Sequence, residues 1–137
     1  MVNWNERNRA VIEGFRANGG KGRGPSAAPL LLLTTTGART GRHHITPLNY
    51  LADGDLFVVF ASKGGGPTNP DWYHNLVAYP TAIVEVGTET FEVDAVVKSG
   101  EERDQLYRRQ AEAYPTYAEM ERRTTRKIPV VALRRRH

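Results

Sequence analysis

Short apolar and β-branched runs separated by tight turns fill the middle of this chain, and they point to an antiparallel sheet. The runs fall at 30–36, 45–52, 56–61, 81–86 and 90–97, with a last one at 128–133. Asp53-Gly54 joins the second run to the third and Gly87 joins the fourth to the fifth. Both are hairpin signals, because a left-handed turn residue matches the twist of the flanking strands. Pro47 cannot donate to a strand ladder, so the run around it reads as an edge or an irregularity. Strand–helix–strand spacing is scarce, which argues against a doubly wound parallel sheet. A length of 137 residues supports one core and no second one. The expected fold is mainly β with flanking helices, a small antiparallel barrel whose openings are plugged by helices.

Four helices are expected around that sheet. Trp4, Val11, Ile12 and Phe15 recur near helical spacing across 3–18, with charged residues between them. Gly19 and Gly20 end that helix, and a basic linker follows. Residues 1–24 therefore read as an amphipathic helix with its linker, and 25–137 as the barrel domain. Pro70 opens a short helix to about residue 78, with Trp72 and Leu76 on one face. Ser99 and Glu102 have capping-box spacing for a helix over 100–113, and another turn or two follows Pro115. Arg134, Arg135 and Arg136 read as a frayed basic tail.

Composition removes several chemistries. There is no cysteine, hence no disulfide, thiolate metal site or cysteine nucleophile. Of the four histidines, His43 and His44 are adjacent and would point to opposite faces of a strand, so no metal-ligand spacing appears. The net charge of +4 conceals segments of opposite sign: residues 43–100 carry two basic and seven acidic side chains, while both ends are basic. Basic ends admit an anionic partner or ordinary solvated charge. Aromatics are not interleaved with Lys and Arg, which weakens a nucleic-acid reading. The apolar run at 29–33 is too short to span a bilayer. The opening Asn3-Trp4-Asn5-Glu6 lacks the order of a secretory signal, so a cytoplasmic location is expected. Residues 3–18 leave open a peripheral membrane contact.

Four segments can carry chemistry. Thr34-Thr35-Thr36-Gly37-Ala38-Arg39-Thr40-Gly41-Arg42 follows a strand, and a glycine-bearing turn with hydroxyls and guanidinium groups can cradle an anion; it can equally be a polar hairpin. Ala61-Ser62-Lys63-Gly64-Gly65-Gly66 also ends a strand, where three glycines let backbone approach a ligand closely; a plain surface loop has the same composition. In Asn69-Pro70-Asp71-Trp72-Tyr73-His74-Asn75, Trp72 suits a core, and Asn75 suits a hydrogen bond to a neighbouring strand or a ligand. In Tyr114-Pro115-Thr116-Tyr117, a tyrosine offers an apolar face and a hydrogen-bond donor.

Taken in order, LLLTTTGARTGR at 31–42, PLNYLADGD at 47–55, FASKGGGPTNPDWYHNL at 60–76 and AYPTYAEMERRTTRKIPVVAL at 113–133 resemble the deazaflavin-dependent nitroreductase family, split-barrel oxidoreductases that use coenzyme F420. The resemblance covers nearly the whole chain. It implies a split antiparallel β-barrel of the FMN-binding split-barrel type, with an 8-hydroxy-5-deazaflavin in a groove. It implies that Arg39, Thr40 and Gly41 hold the coenzyme's phosphate and acidic tail, and that Ser62, Lys63, Gly64 and Gly65 contact the ring and phosphate region. Pro47, Ala61, Trp72 and Asn75 match positions at or behind the groove, and Asn49, Tyr117 and Met120 match the substrate side. The chain departs from the family pattern at Ala38 and His44, where arginines are usual, and at Asn49 and Met120, where tyrosines are usual. Arg42, Lys21 and Arg23 are the nearby cations that would compensate.

What the resemblance implies chemically is a two-electron reductase with a small-molecule electron acceptor such as an enone, a quinone or a nitro compound. The cofactor supplies the chemistry and the barrel supplies orientation. Ser62 and Tyr117 are the expected donors to the acceptor's oxygen. The rival reading is a non-catalytic module that binds or carries the deazaflavin, another flavin or haem.

Overall fold

The computed structural model describes residues 4–20 and 28–136, and leaves the side chains of Trp4 and Asn5 aside. The expected linker contacts of Lys21 and Arg23 lie outside the described residues. Helix α1 (Trp4–Ala17) precedes strands β1 (Leu30–Thr36), β2 (His43–Asp53) and β3 (Leu56–Phe60). A 3₁₀ turn (Lys63–Gly65) and helix α2 (Asp71–Ala78) lead to β4 (Thr81–Val86) and β5 (Glu89–Lys98); α3 (Gly100–Ala113), α4 (Thr116–Arg123) and β6 (Val130–Arg135) complete the chain. All pairings are antiparallel, and the order β1-β2-β3-β6-β5-β4 closes into a six-stranded barrel. Closure is made by Leu32↔Glu85, Leu33↔Val84 and Thr34↔Ile83 between β1 and β4.

The two-residue alternation of strand side chains divides the apolar residues into two layers. Leu31, Leu33, Val59, Ala61, Val84, Val93, Val131 and Leu133 fill the barrel, and Trp72 and Leu76 of α2 insert from one end as its plug. Burial of each such aliphatic side chain is worth about 1.5–3 kcal/mol. Val58, Phe60 and Val130 point the other way, where α3 and α4 cover them with Leu106, Tyr107 and Tyr117. Helix α1 covers the opposite outer wall: Phe15 is buried, and the Arg16 guanidinium grips Glu85 of β4 with two hydrogen bonds. That docking turns Phe15, part of the expected amphipathic face, away from any membrane. No described helix is long and apolar enough to cross a bilayer.

Two local expectations need correction. The capping box at α3 does not form: Ser99 is the N-cap without a side-chain bond, and Lys98 Nζ takes the Glu102 carboxylate at 2.9 Å. The basic tail is not frayed. Arg134 and Arg135 belong to β6 and pair with β3 and β5. The acidic strand β5 explains this, since Arg135 meets Glu89 and Arg136 meets Glu92 and Asp94.

Candidate functional site

The topology brings the candidate segments to one end of the barrel. With every strand antiparallel, the end of β1, the start of β2, the end of β3 and the start of β6 lie together. The turn at 37–42, the loop at 61–70 and the connector at 124–129 therefore share that end.

The first turn is tightly built. Gly37 N–H donates to the Arg42 carbonyl at 2.7 Å, and Gly41 N–H donates to the Gly37 carbonyl at 2.9 Å. A side chain at Gly37 would press on the His44 and Thr40 side chains at 3.0 Å, and Gly41 has φ +73°, a backbone conformation that favours glycine. Thr40 Oγ1 accepts from the Arg42 N–H. Behind the turn stands Asn75, buried on α2. Its Oδ1 accepts from the Ala38 N–H at 2.9 Å and its Nδ2 donates to Thr35 Oγ1 at 3.1 Å. Of the two roles open to Asn75, the structure displays the bond to strand and turn. Arg39 and Arg42 are exposed, and among the described residues neither side chain has an ion-pair partner.

The second loop turns sharply at the end of β3. Ser62 is helical at φ −76°, ψ −36°, and Lys63, Gly64 and Gly65 follow with φ of 47°, 63° and 82°. A right-handed residue followed by a left-handed one makes successive N–H groups converge, which is an anion-binding concavity. Lys63 is the only described non-glycine residue with positive φ, a conformation that costs an L side chain about 1–2 kcal/mol. Its Nζ reaches Thr68 Oγ1 at 3.2 Å and makes no ion pair among the described residues. Gly65 is pressed against α4: a side chain there would lie 3.1 Å from Arg123 Cβ and 3.2 Å from the Met120 carbonyl.

Between these turns the barrel wall opens. Strand β2 pairs with β1 over 43–49 but with β3 only over 50–53. Extending the β2–β3 register past Tyr50↔Val59 would set Asn49 against Phe60 and Pro47 against Ser62, yet no pairing occurs there. Pro47 thus sits where β2 has a free edge, and its missing N–H is not needed. Along 45–51 the strand is half-buried: Leu48 and Tyr50 pack against the barrel core, Ile45 faces Ile12 and Arg16 of α1, and Pro47 is left at the unpaired edge beside the split. Ala61 lines the far side from the barrel interior.

The other expected site residues are placed as follows. Trp72 is a buried core residue. Asn49 lies deeper in the split and donates through Nδ2 to the carbonyls of Ala28 and Pro29, tying down the entry to β1. Tyr117 is only 7% exposed, edge-on to Phe60 and Tyr107, and burial pushes its phenol pKa upward. Met120 packs beside the same outer layer. Tyr117 and Met120 therefore back the 3₁₀ turn from the outside of β3, and Tyr117 is a wall more than an open pocket side chain.

Sequence reasoning missed Arg126. Its guanidinium donates to the carbonyls of Ala61 at 3.0 Å, Ser62 at 2.8 Å and Gly66 at 3.0 Å, and to Asn69 Oδ1 at 2.7 Å. No periodicity marks an arginine in a connector, and only the strand order β3-β6 brings residue 126 to residues 61–69.

An unpaired strand edge beside two cationic glycine turns has the chemistry to take a flat ring with an anionic tail. The comparisons agree on the family. The profile of the F420H(2)-dependent quinone reductases matches residues 7–135. An F420H(2)-dependent quinone reductase of Mycobacterium tuberculosis is 44% identical over 120 residues, covering 82% of this chain and 77% of its own. A solved F420-H2 dependent reductase is 40% identical with a TM-score of 0.70, covering 77% of this chain and 93% of its own. A haem storage protein of Vibrio cholerae, 15% identical with a TM-score of 0.61 and covering 95% of this chain and 91% of its own, shares the fold alone. The chain belongs to the F420H(2)-dependent quinone reductase family.

Proposed function

We propose that this chain is a reductase that uses reduced coenzyme F420 to reduce a quinone or a related electron-poor acceptor. The observation that carries this is the split itself: the unpaired edge of β2 at Pro47 lies on one side, and the Ser62–Gly65 turn ends the other. An apolar flank suits the face of a fused ring, and the convergent N–H groups and free cations suit a phosphodiester with a carboxylate tail. The residues present fit the coenzyme on those grounds.

In this reading Arg39, Thr40 and Gly41 hold the anionic tail, with Asn75 acting from behind by fixing the Ala38 peptide. Ser62, Lys63, Gly64 and Gly65 bind the phosphate region and the near edge of the ring. Pro47 and Ala61 flank the ring, and Trp72 supports the barrel end beneath it. When bound and reduced, the coenzyme supplies a hydride. Charge then develops on the acceptor's oxygen, and the Ser62 hydroxyl, which has no bond among the described residues, donates to it. Asn49, Tyr117 and Met120 shape the acceptor side, and the buried phenol of Tyr117 stays protonated at neutral pH.

Anaerobic mixing of the protein with the reduced coenzyme and menadione tests this. Rapid, protein-dependent oxidation of the coenzyme is expected. Tight coenzyme binding without turnover on any quinone, enone or nitro acceptor would instead identify a carrier.

A further inference from the structure

Every side-chain hydrogen bond that Arg126 makes runs to one loop. Its fork spans that loop from Ala61 and Ser62 at the start to Gly66 and Asn69 at the end. All four acceptors are neutral, and among the described residues no carboxylate lies within ion-pair distance of this guanidinium. The group is partly buried, and burial lowers its pKa from the usual arginine value. Its positive charge is therefore left unneutralised inside the loop.

The direction of those bonds has a consequence. In a trans peptide the C=O and the following N–H point in opposite directions. Ala61 directs its N–H to the Pro129 carbonyl on the β6 side, and its C=O goes to Arg126 on that same side. The Ser62 N–H must then face β2, across the split, and it has no backbone acceptor among the described residues. The Ser62 C=O is also held by Arg126, which turns the Lys63 N–H away in the same sense.

We infer that Arg126 is a positioning residue for the coenzyme loop: by holding two consecutive carbonyls it aims the Ser62 and Lys63 N–H groups into the split. Its unneutralised charge adds to the attraction for an anionic tail. A lysine cannot reproduce this, because a point charge on a flexible stem does not grip four oxygens in one plane. The inference rests on the coenzyme reading above, and its structural half can be measured without the coenzyme.

The experiment compares wild type, Arg126→Lys and Arg126→Ala by two readouts. Amide hydrogen exchange on the coenzyme-free protein should quicken at Gly65 and Gly66, whose N–H groups donate to the Ser62 and Lys63 carbonyls, in both variants while the barrel strands keep their protection. Titration with oxidised coenzyme should reveal an affinity loss of about ten- to a hundredfold, as expected for charge-assisted bonds. The Ser62 hydroxyl rides on the same turn, so kcat at saturating coenzyme should fall as well. Millimolar methylguanidinium should restore part of the affinity to Arg126→Ala. Wild-type affinity and unchanged exchange at Gly65 and Gly66 in both variants would overturn the inference. So would a loss accompanied by fast exchange throughout the barrel and no rescue, which would mark a general structural role. If wild type binds no coenzyme, the functional reading fails and the coenzyme role of Arg126 fails with it, while localised exchange would still establish the clamp.

Discussion

The Ala38 N–H donates to the Asn75 carboxamide oxygen at 2.9 Å, so a buried residue of the plugging helix sets the shape of an exposed turn 37 residues earlier in the sequence. The same carboxamide donates to Thr35, so both of its polar atoms are engaged. Removing it would leave a buried hydroxyl and a loop N–H without their partner, at a cost of about 1–3 kcal/mol. Asn75→Ala should lower stability by that amount in denaturant titration and weaken coenzyme binding. Asn75→Asp should keep the Ala38 bond, and the Thr35 bond once that hydroxyl reorients to donate, yet bind the coenzyme more weakly because the new charge opposes an anionic tail.

Lys63 combines a left-handed backbone with a charge that has no ion-pair partner among the described residues, and two substitutions separate these properties. Lys63→Gly relieves the backbone cost while Lys63→Ala keeps it, so the glycine variant should be the more stable by about 1 kcal/mol. Both should lose about ten- to a hundredfold in coenzyme affinity through the missing charge. Equal stability of the two variants in thermal denaturation would contradict the strained geometry.

Neighbouring glycines should respond unequally. Gly64 and Gly65 both have positive φ, but open space surrounds the first and α4 crowds the second. Gly64→Ala should cost about 1 kcal/mol from backbone conformation alone. Gly65→Ala adds contact with Arg123 Cβ and the Met120 carbonyl, and a total of about 2–4 kcal/mol is expected. Chemical denaturation of the pair measures the difference.

The strand pattern made the barrel readable in advance. Tight turns at Asp53-Gly54 and around Gly87, with apolar runs between them, specify antiparallel neighbours, and the observed strands differ by a residue or two at their ends. The tail at 134–136 was misread because three arginines carry no strand signal by themselves; their partners Glu89, Glu92 and Asp94 lie on a strand over forty residues earlier. The glycine turns were visible because glycine has a local reason to be where it is. The bond of Asn75 to a strand was open to reading, but its bond to the Ala38 turn and the whole of Arg126 were not, because both depend on which segments meet at one barrel end. The capping box failed for a local reason instead, since Lys98, four residues before Glu102, takes its carboxylate.

Alkaline stability follows from Tyr107. Its hydroxyl donates to the Tyr117 carbonyl at 2.6 Å, and burial, reinforced by the Glu121 charge, pushes its pKa up to about 12 from a reference near 10. A raised phenol pKa means that the folded state holds the proton more tightly. Its stabilising contribution is complete below about pH 10 and is lost as pH rises from about 10 through about 12. Tyr107→Phe should cost about 1 kcal/mol at neutral pH and flatten the loss of stability across that alkaline window. An unchanged alkaline slope in pH-dependent denaturation would remove Tyr107 as its source.

The central claim is that two glycine turns at one barrel end, carrying Arg39 and Lys63, hold an anionic coenzyme across the split. A fluorescence titration with oxidised coenzyme, on wild type and on the double variant Arg39→Ala/Lys63→Ala at low and high salt, tests it most directly. Saturable wild-type binding that weakens with salt, and a loss of about a hundredfold or more in the double variant, is the expected result. Equal affinity of the two proteins, or binding indifferent to salt, would contradict it.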